Sequence, residues 1–593
     1  MDRKNAPANL KWKLTDIYAS HEKFEEDLRK LEENYKFFEK FKGKLSNIDF
    51  LLDFYQLSEY FEMIEEKLAN YVMLNHDTDL NNNVFIEDNE KLNAFFSKFA
   101  MSTAFVAPEL ASLSNQYLKK VLKDIRFKNY EYKIKAILNG RQHILNKEQE
   151  EALATTSAYA NGFNEIREAL AESNFKFKPV IVNNKEEELT PSTYGKFLNS
   201  KNRDVRTQAY NNVYEVYNQF SKTLAINYIN FVKLVNADIK LRKYSSTFEM
   251  FNNSTKISKD LFDNLIKNID KNLILEQKYF KLLKKSTKID DFGFQDVYQS
   301  LASNLDMKFD IDNQKQIVIK ALAPLGQEYQ NLLKTAYENN WIDFCTNINK
   351  RSGGYMSGVY GVHPYVLLND NGDYDSLSTL AHELGHAMHT YYSSKTQPYA
   401  KHDYSIFIAE IASTVNEILL NKYMIKNSKT NEEKLFYLDN YLQHFKSTVF
   451  RQTMFAEFEN FAHNTVVNDN ILSPKILDNE YKSLLIKHFA DTVKIDDKII
   501  HEWERIPHFF SPYYVYKYAT SFVSAVYIAN SILDNKDNML EKYITMLKSG
   551  SDGYPTEILL KAGVDLMKDE TYDYAFNDMK NALDEAERLL KTL

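Results

Sequence analysis

Cysteine is almost absent: Cys345 is the only one among 593 residues. No intramolecular disulfide can form, so the fold has to rest on its apolar core. Cys345 itself is expected to be a small buried hydrophobe. Glycine and proline are scarce as well, at 15 and 11, and with so few breakers among long Leu/Lys/Glu-rich runs a mainly α-helical chain with few strands is expected. No apolar run approaches the roughly 18 residues of a membrane-spanning helix; the stretch 521–533 is too short. The first ten residues hold no apolar signal-peptide core. No basic tract is sustained and the formal net charge is −8, which argues against nucleic acid as a partner. These absences predict a cytoplasmic protein with neither a membrane nor a nucleic-acid partner, and oligomeric state has no visible signature. A hydrophobic content of 44% is enough for sizeable cores. The surplus of Lys, Asn, Ile, Tyr and Phe is read as coding bias rather than function.

Against that background one pentapeptide stands out, His382-Glu383-Leu384-Gly385-His386. Two imidazoles four residues apart project from one face of an α-helix, a turn apart, so both can grip one ion. Glu383 lies beside that face, where a carboxylate can take a proton from a metal-bound water without being a ligand. With 13 His in the chain, about 0.02 chance matches to HExxH are expected, so the motif is moderately specific. Its surroundings favour a helix: Leu377, Leu380, Ala381, Leu384, Ala387 and Met388 recur at helical spacing, with Asp375 or Ser376 as the N-cap.

A catalytic site needs a third protein ligand and an open position for water. His389 follows on the same rod, seven residues after His382, an awkward angle for a tetrahedral ion. Glu410 lies 24 residues after His386 in the apolar run 405–420, which reads as a helix buried nearly all round. A lone carboxylate there is expensive to desolvate, and a divalent cation makes it tolerable. Glu417, two turns on, can orient one of the histidines.

Upstream, Gly353, Gly354, Gly358 and Gly361 concentrate glycine in one segment, read as a mobile loop. The following stretch, 362–368, reads as a short strand, with Pro364 favouring an edge position. An edge strand beside a metal can hold an extended peptide through main-chain hydrogen bonds. Further on, the segment 508–518 holds Tyr513, Tyr514, Tyr516 and Tyr518; such a cluster is most often packing.

The stretch HELGHAMH followed by IAEIASTVNE resembles the M3 family of zinc metallopeptidases, in particular its bacterial oligoendopeptidase F branch. The likeness extends over RSGGYMSGVYGVHPYVLLN (351–369), IPHFF (506–510), YVYKYATS (514–521), GSDGYP (550–555) and the opening LKWKLTDIY (10–18). It implies His382, His386 and Glu410 as ligands of one Zn²⁺ per chain and Glu383 as general base. It further implies His508 and Tyr518 as donors to the oxyanion, with Tyr514 and Gly358 binding substrate; the neighbouring tyrosines compete for these roles. A multi-helical, two-lobed zincin enclosing a deep substrate channel, with a small β element beside the active site, is the implied fold, and short unstructured peptides cleaved internally are the implied substrates.

Along the chain, helices are expected at 23–42, 57–74 and 147–171, a hairpin from 175–182 and 186–190, and Thr190-Pro191 as N-cap and first helical residue. A boundary near 195 separates an N-terminal helical lobe, 1–195, from a catalytic domain, 196–593. A final helix is expected over 571–593. Two other readings compete. A zinc exopeptidase of the carboxypeptidase or dipeptidyl-peptidase type needs a cation for a terminal carboxylate, for which Arg451 and Arg505 are available. A non-catalytic helical scaffold would carry HExxH by accident.

Overall fold

The computed structural model describes residues 2–146, 149–150, 153, 158–302, 305 and 307–593. It is mainly α-helical, with two small sheets among the described residues. The chain forms two compact units, residues 1–144, 306–423 and 524–565 in the first and residues 145–305, 424–523 and 566–593 in the second. The chain crosses between them five times, so neither unit is one stretch of sequence.

In the first unit, helices His21–Asn34, Ile48–Thr78 and Asn83–Thr103 pack round an aromatic core. Phe38 sits at its centre, with the rings of Phe61 and Phe99 5.1 Å and 5.0 Å away, edge to face, the geometry that ring quadrupoles favour. Asn47 and Asn82 cap the second and third helices by accepting N–H bonds of the first turn. Expected helix 23–42 ends early, since Tyr35–Phe41 tightens into 3₁₀ turns.

The same unit holds a three-stranded sheet of β3 (Ile342–Asp343), β4 (Tyr355–Ser357) and β5 (Tyr365–Leu367), in the order β3-β5-β4. This corrects two expectations. The stretch 362–368 supplies the central strand, not an edge: Pro364 precedes β5 and removes no ladder bond. The glycine-rich segment is not simply a mobile loop, because it contains the edge strand β4. Two of its four glycines serve close packing: a methyl group on Gly354 would stand 2.9 Å from Thr379 Cγ2, and one on Gly358 2.6 Å from Thr390 Cγ2.

The second unit is built from long helices, among them Arg203–Arg242, Lys259–Thr287, Asn431–His444, Arg451–Val467, Pro474–Phe489 and Asp569–Leu590. Several of its buried charges are paired: Arg206 meets Asp296 at 2.7 Å, and Glu502 takes both Arg451 and the Tyr481 hydroxyl at 2.7 Å. The hairpin of β1 (Val180–Val182) and β2 (Lys185–Glu187) turns through Asn183 and Asn184, both with positive φ, as a tight two-residue hairpin turn requires. Thr190 caps helix Pro191–Leu198 as expected. Expected helix 147–171 lies partly outside the described residues; helix Ala158–Glu168 belongs to it. Cys345 is buried. No helix among the described residues is long and apolar enough to cross a membrane.

Candidate active site

The HExxH residues lie in helix Tyr374–Thr396, and Glu410 and Glu417 lie in helix Ile406–Lys426, both in the first unit as far as residue 423. Asp373, rather than Asp375 or Ser376, caps the first helix by accepting the Ser376 N–H. Three neighbouring polar residues compete for that role, and the one whose backbone is extended takes it. The second helix is buried as expected: Phe407, Ile408, Ile411, Ala412 and Val415 have no exposed surface.

What brings the helices together is Gly385. A methyl group there would stand 2.5 Å from Ser413 Cα and 2.6 Å from the Ala412 carbonyl oxygen, so the two backbones touch. Beside this contact the Asn416 amide donates to the Ala381 carbonyl at 3.0 Å and accepts from the Tyr329 hydroxyl at 3.0 Å. At about 100° per residue, Ala381 and Gly385 form one flank of the histidine helix, and His382 and His386 follow next round the circumference. Close approach on that flank delivers Glu410 to the two imidazoles.

The resulting cluster is compact. Glu410 Oε2 lies 3.6 Å from His382 Nε2 and 3.7 Å from His386 Nε2, and the three ligand atoms fall within 4.8 Å of one another. Donors bound to one tetrahedral zinc at about 2.0–2.2 Å are separated by about 3.4 Å, so the set fits such an ion. On the far side of the ring, His382 Nδ1 is 3.1 Å from Glu417 Oε2. The pairing with Glu417 leaves Nε2 for a metal, the usual outer support of a ligating histidine. Ser378 donates to the other Glu417 oxygen at 3.4 Å.

The electrostatics also favour a cation. Burial works to lower the His382 pKa, but Glu417, Glu383 and Glu410 overcome it and carry it up to about 9. His386 is pushed down to about 3 by burial and by the charge of His382. Glu383 is buried and raised to about 7, chiefly by desolvation. Three carboxylates around two imidazoles leave negative charge that a divalent ion would balance.

His389 is not one of the three clustered ligands. It is fully buried, and its ring lies parallel to that of Tyr404 with centroids 3.6 Å apart. Tyr404 in turn hydrogen-bonds Thr390 at 2.6 Å. Gly358 follows β4 and rests on the histidine helix at Thr390.

His508, Tyr514 and Tyr518 lie in the second unit, where they form a cluster of their own. The Tyr514 ring is 6.1 Å from that of His508 and 5.4 Å from that of Tyr518, and His508 and Tyr518 are 6.3 Å apart. All three are half-buried. Tyr513 and Tyr516 are buried instead, donating to Asn460 at 2.9 Å and to Asn252 at 2.6 Å. Their hydroxyls are committed to the core, which separates the four tyrosines that the sequence left in competition.

Sequence reasoning missed Gly385, Asn416 and Tyr404. A glycine at the fourth position of the motif, facing the apolar run that holds Glu410, was the available signal for the first; the other two have none.

Residues 196–578 match the family described as peptidase family M3, and residues 109–177 match the one described as oligopeptidase F. Oligopeptidase PepF of Bacillus subtilis is 36% identical, over 99% of this chain and 88% of its own length. An oligoendopeptidase F homolog of Lactococcus lactis subsp. lactis is 33% identical over 100% and 99%. Among solved structures, oligoendopeptidase-F from Enterococcus faecium superposes with a TM-score of 0.74 at 29% identity, over 96% of this chain and 99% of that one. With a family match over most of its length and relatives that span it from end to end, the chain belongs to peptidase family M3, in the oligoendopeptidase F group, and is a metallo-oligopeptidase.

Proposed function

We propose that the protein is a zinc-dependent oligoendopeptidase that hydrolyses internal bonds of short unstructured peptides. The observation that carries this reading is the convergence of His382, His386 and Glu410, with Glu383 beside His382 in the same helix. Bound to this set, one Zn²⁺ per chain supplies Lewis acidity and lowers the pKa of water to about 7. Glu383 takes the proton of the attacking water and returns it to the leaving amine. Tyr518 and His508 donate hydrogen bonds to the oxyanion, and Tyr514 and the backbone at Gly358 hold substrate, roles carried over from the family likeness. Strand β4, which pairs only with β5 among the described residues, offers main-chain hydrogen bonds to an extended peptide, which bind without demanding one side chain. Residues 1–195 form the N-terminal portion and 196–593 the catalytic domain in this reading, and its place is the cytoplasm.

The exopeptidase reading draws less support. Arg451 is paired to Glu502 at 2.7 Å, and the Arg505 guanidinium lies over the rings of Tyr194, Tyr214 and Tyr217. Both are thus engaged within the protein rather than held open for a terminal carboxylate. A peptide of about ten residues blocked at both ends separates the readings. The endopeptidase cuts it, with a product map of internal sites, and chelation stops the reaction; cleavage confined to peptides with a free terminus supports the exopeptidase. Protein that neither retains zinc nor cuts any short peptide supports the scaffold.

A further inference from the structure

Beneath the His508–Tyr514–Tyr518 cluster lies a buried carboxylate that the chemistry above does not use. Glu459, in helix Arg451–Val467, is 1% exposed. Its Oε1 accepts the Tyr513 backbone N–H at 2.9 Å, while its Oε2 has no hydrogen-bond partner among the described residues. Burying a carboxylate with one hydrogen bond is costly. Its pKa is accordingly raised to about 8, by desolvation first, with the Tyr513 N–H and Lys517 opposing.

The residue it holds is strained. Tyr513 has φ of +55°, a left-handed backbone in which Cβ crowds the carbonyl and which bulky residues rarely adopt. It is fixed at three points: its N–H on Glu459, its hydroxyl on Asn460 at 2.9 Å, and its ring edge-on to Phe248 and Phe262 at 5.1 Å and 5.7 Å. Consecutive residues of one helix therefore grip both ends of Tyr513. The next residue is Tyr514, and Tyr518 N–H already bonds back to Val515 at 3.1 Å. The left-handed turn thus sets the direction in which helix Tyr516–Leu533 begins.

We propose that Glu459 is a positioning residue: by fixing Tyr513 in its left-handed conformation, it aims Tyr514 and Tyr518 at His508 and so sets the placement of the oxyanion donor. This rests on the oxyanion role proposed for Tyr518. Strained backbone persists where its surroundings over-determine it, and here Glu459, Asn460 and the rings of Phe248 and Phe262 hold Tyr513 together.

The test uses the full-length zinc-loaded enzyme and an internally quenched peptide blocked at both ends. Misplacing a donor by about 1 Å costs about 10²-fold, so Glu459→Ala lowers kcat by about 10²-fold, with zinc content nearly unchanged and KM raised as Tyr514 shifts with Tyr513. Glu459→Gln keeps an acceptor for the Tyr513 N–H and restores most of the loss. Tyr518→Phe alone lowers kcat by about 10²–10³-fold. The double variant Glu459→Ala/Tyr518→Phe falls no more than about twofold below Tyr518→Phe, because the first change acts through the second residue. Should Glu459→Ala not fold, Glu459→Asp, which keeps a carboxylate but shortens its reach to the Tyr513 N–H, replaces it and shows the same non-additivity with Tyr518→Phe. Independent, multiplying losses overturn the proposal, as does Glu459→Gln no better than Glu459→Ala. Glu459→Ala at full turnover beside an impaired Tyr518→Phe refutes the clamp alone; Tyr518→Phe at full turnover refutes the oxyanion role on which it rests.

Discussion

Replacing Gly385 by alanine should cost the protein its metal before it costs the fold. The added methyl would lie 2.5 Å from Ser413 Cα, 2.6 Å from the Ala412 oxygen and 2.8 Å from the Ala412 carbonyl carbon. All three are main-chain atoms, so no side-chain rotation relieves the contact. Reaching ordinary contact at 3.4 Å requires the helices to part by about 0.9 Å. Two donors of one ion cannot lie farther apart than about 4.2 Å, the collinear limit of two bonds of about 2.1 Å. Glu410 Oε2 is now 3.6 Å and 3.7 Å from the two histidine nitrogens. If half of the displacement reaches the carboxylate, both separations rise to about 4.1 Å and the tetrahedral cage opens. Zinc affinity should fall by about 10²-fold or more, while overpacking lowers stability by about 1–3 kcal/mol. Bound zinc measured across a series of zinc buffers, with circular dichroism as the check on folding, reads both effects. Gly195→Ala is the control: it also lies within a helix, with nothing within 4 Å of the added methyl, and should leave zinc affinity unchanged. Wild-type zinc affinity in folded Gly385→Ala would show that the backbone contact does not set the ligand spacing.

Glu383→Ala should retain zinc and lose activity by about 10⁴-fold or more, because the attacking water loses both its base and its orientation; near-normal turnover would defeat the assignment. Glu417→Ala should weaken zinc binding by about 10–100-fold through the loss of the His382 Nδ1 partner, read by competition with a chelator, and an unchanged affinity would remove Glu417 from the site. In the second unit, His488 is buried between Glu276 at 3.0 Å and Glu457 at 3.6 Å. Desolvation opposes its charge, yet the two carboxylates raise its pKa from 6.5 to about 9. Because the folded state holds this proton more tightly, the stability it contributes is fully present below pH 6.5 and is lost as pH rises through about 9. The thermal midpoint of the wild type should therefore fall more steeply across that window than that of His488→Gln, and parallel curves would refute the linkage.

The parts of the site legible in the sequence are those whose chemistry demands fixed residue types at helical spacing. His382, His386 and Glu383 declare themselves through one turn of helix, and Glu410 through being a carboxylate in an apolar run. Thr190-Pro191 was equally readable, since a cap is decided within four residues. The illegible parts depend on what a residue meets far along the chain. Gly354 and Gly358 looked like flexibility, but each lies where a side chain would strike a threonine of the histidine helix. Pro364 looked like an edge marker, yet strand β5 begins just after it and so takes the middle of the sheet. Tyr514, Tyr516 and Tyr518 recur every second residue, a strand-like spacing that misleads, because Tyr516 and Tyr518 lie in a helix that follows the left-handed Tyr513.

The histidine helix is also what ties β4 to the metal ligands within the first unit. Thr379 and Thr390, which receive Gly354 and Gly358, are eleven residues apart, about 16 Å along the axis. Gly354 to Gly358 in extended chain covers about 13 Å, so the strand runs beside that length of helix rather than crossing it once. On the helix circumference Thr379 and Thr390 lie within about 20° of each other, His386 is about 20° to one side and Glu383 about 20–40° to the other. Glu383 therefore stands on the flank that faces the strand, while Gly385 and the carboxylate it admits, Glu410, stand beyond the histidines on the opposite flank. Close contacts on the two sides of a single helix, through threonine side chains on one and through the main chain at Gly385 on the other, thus put the proposed base next to the proposed peptide-binding edge and the third ligand away from it. A base must reach the water and the leaving amine, whereas a ligand must stay clear of both, and small residues at 354, 358 and 385 are what allow one rod to meet both requirements.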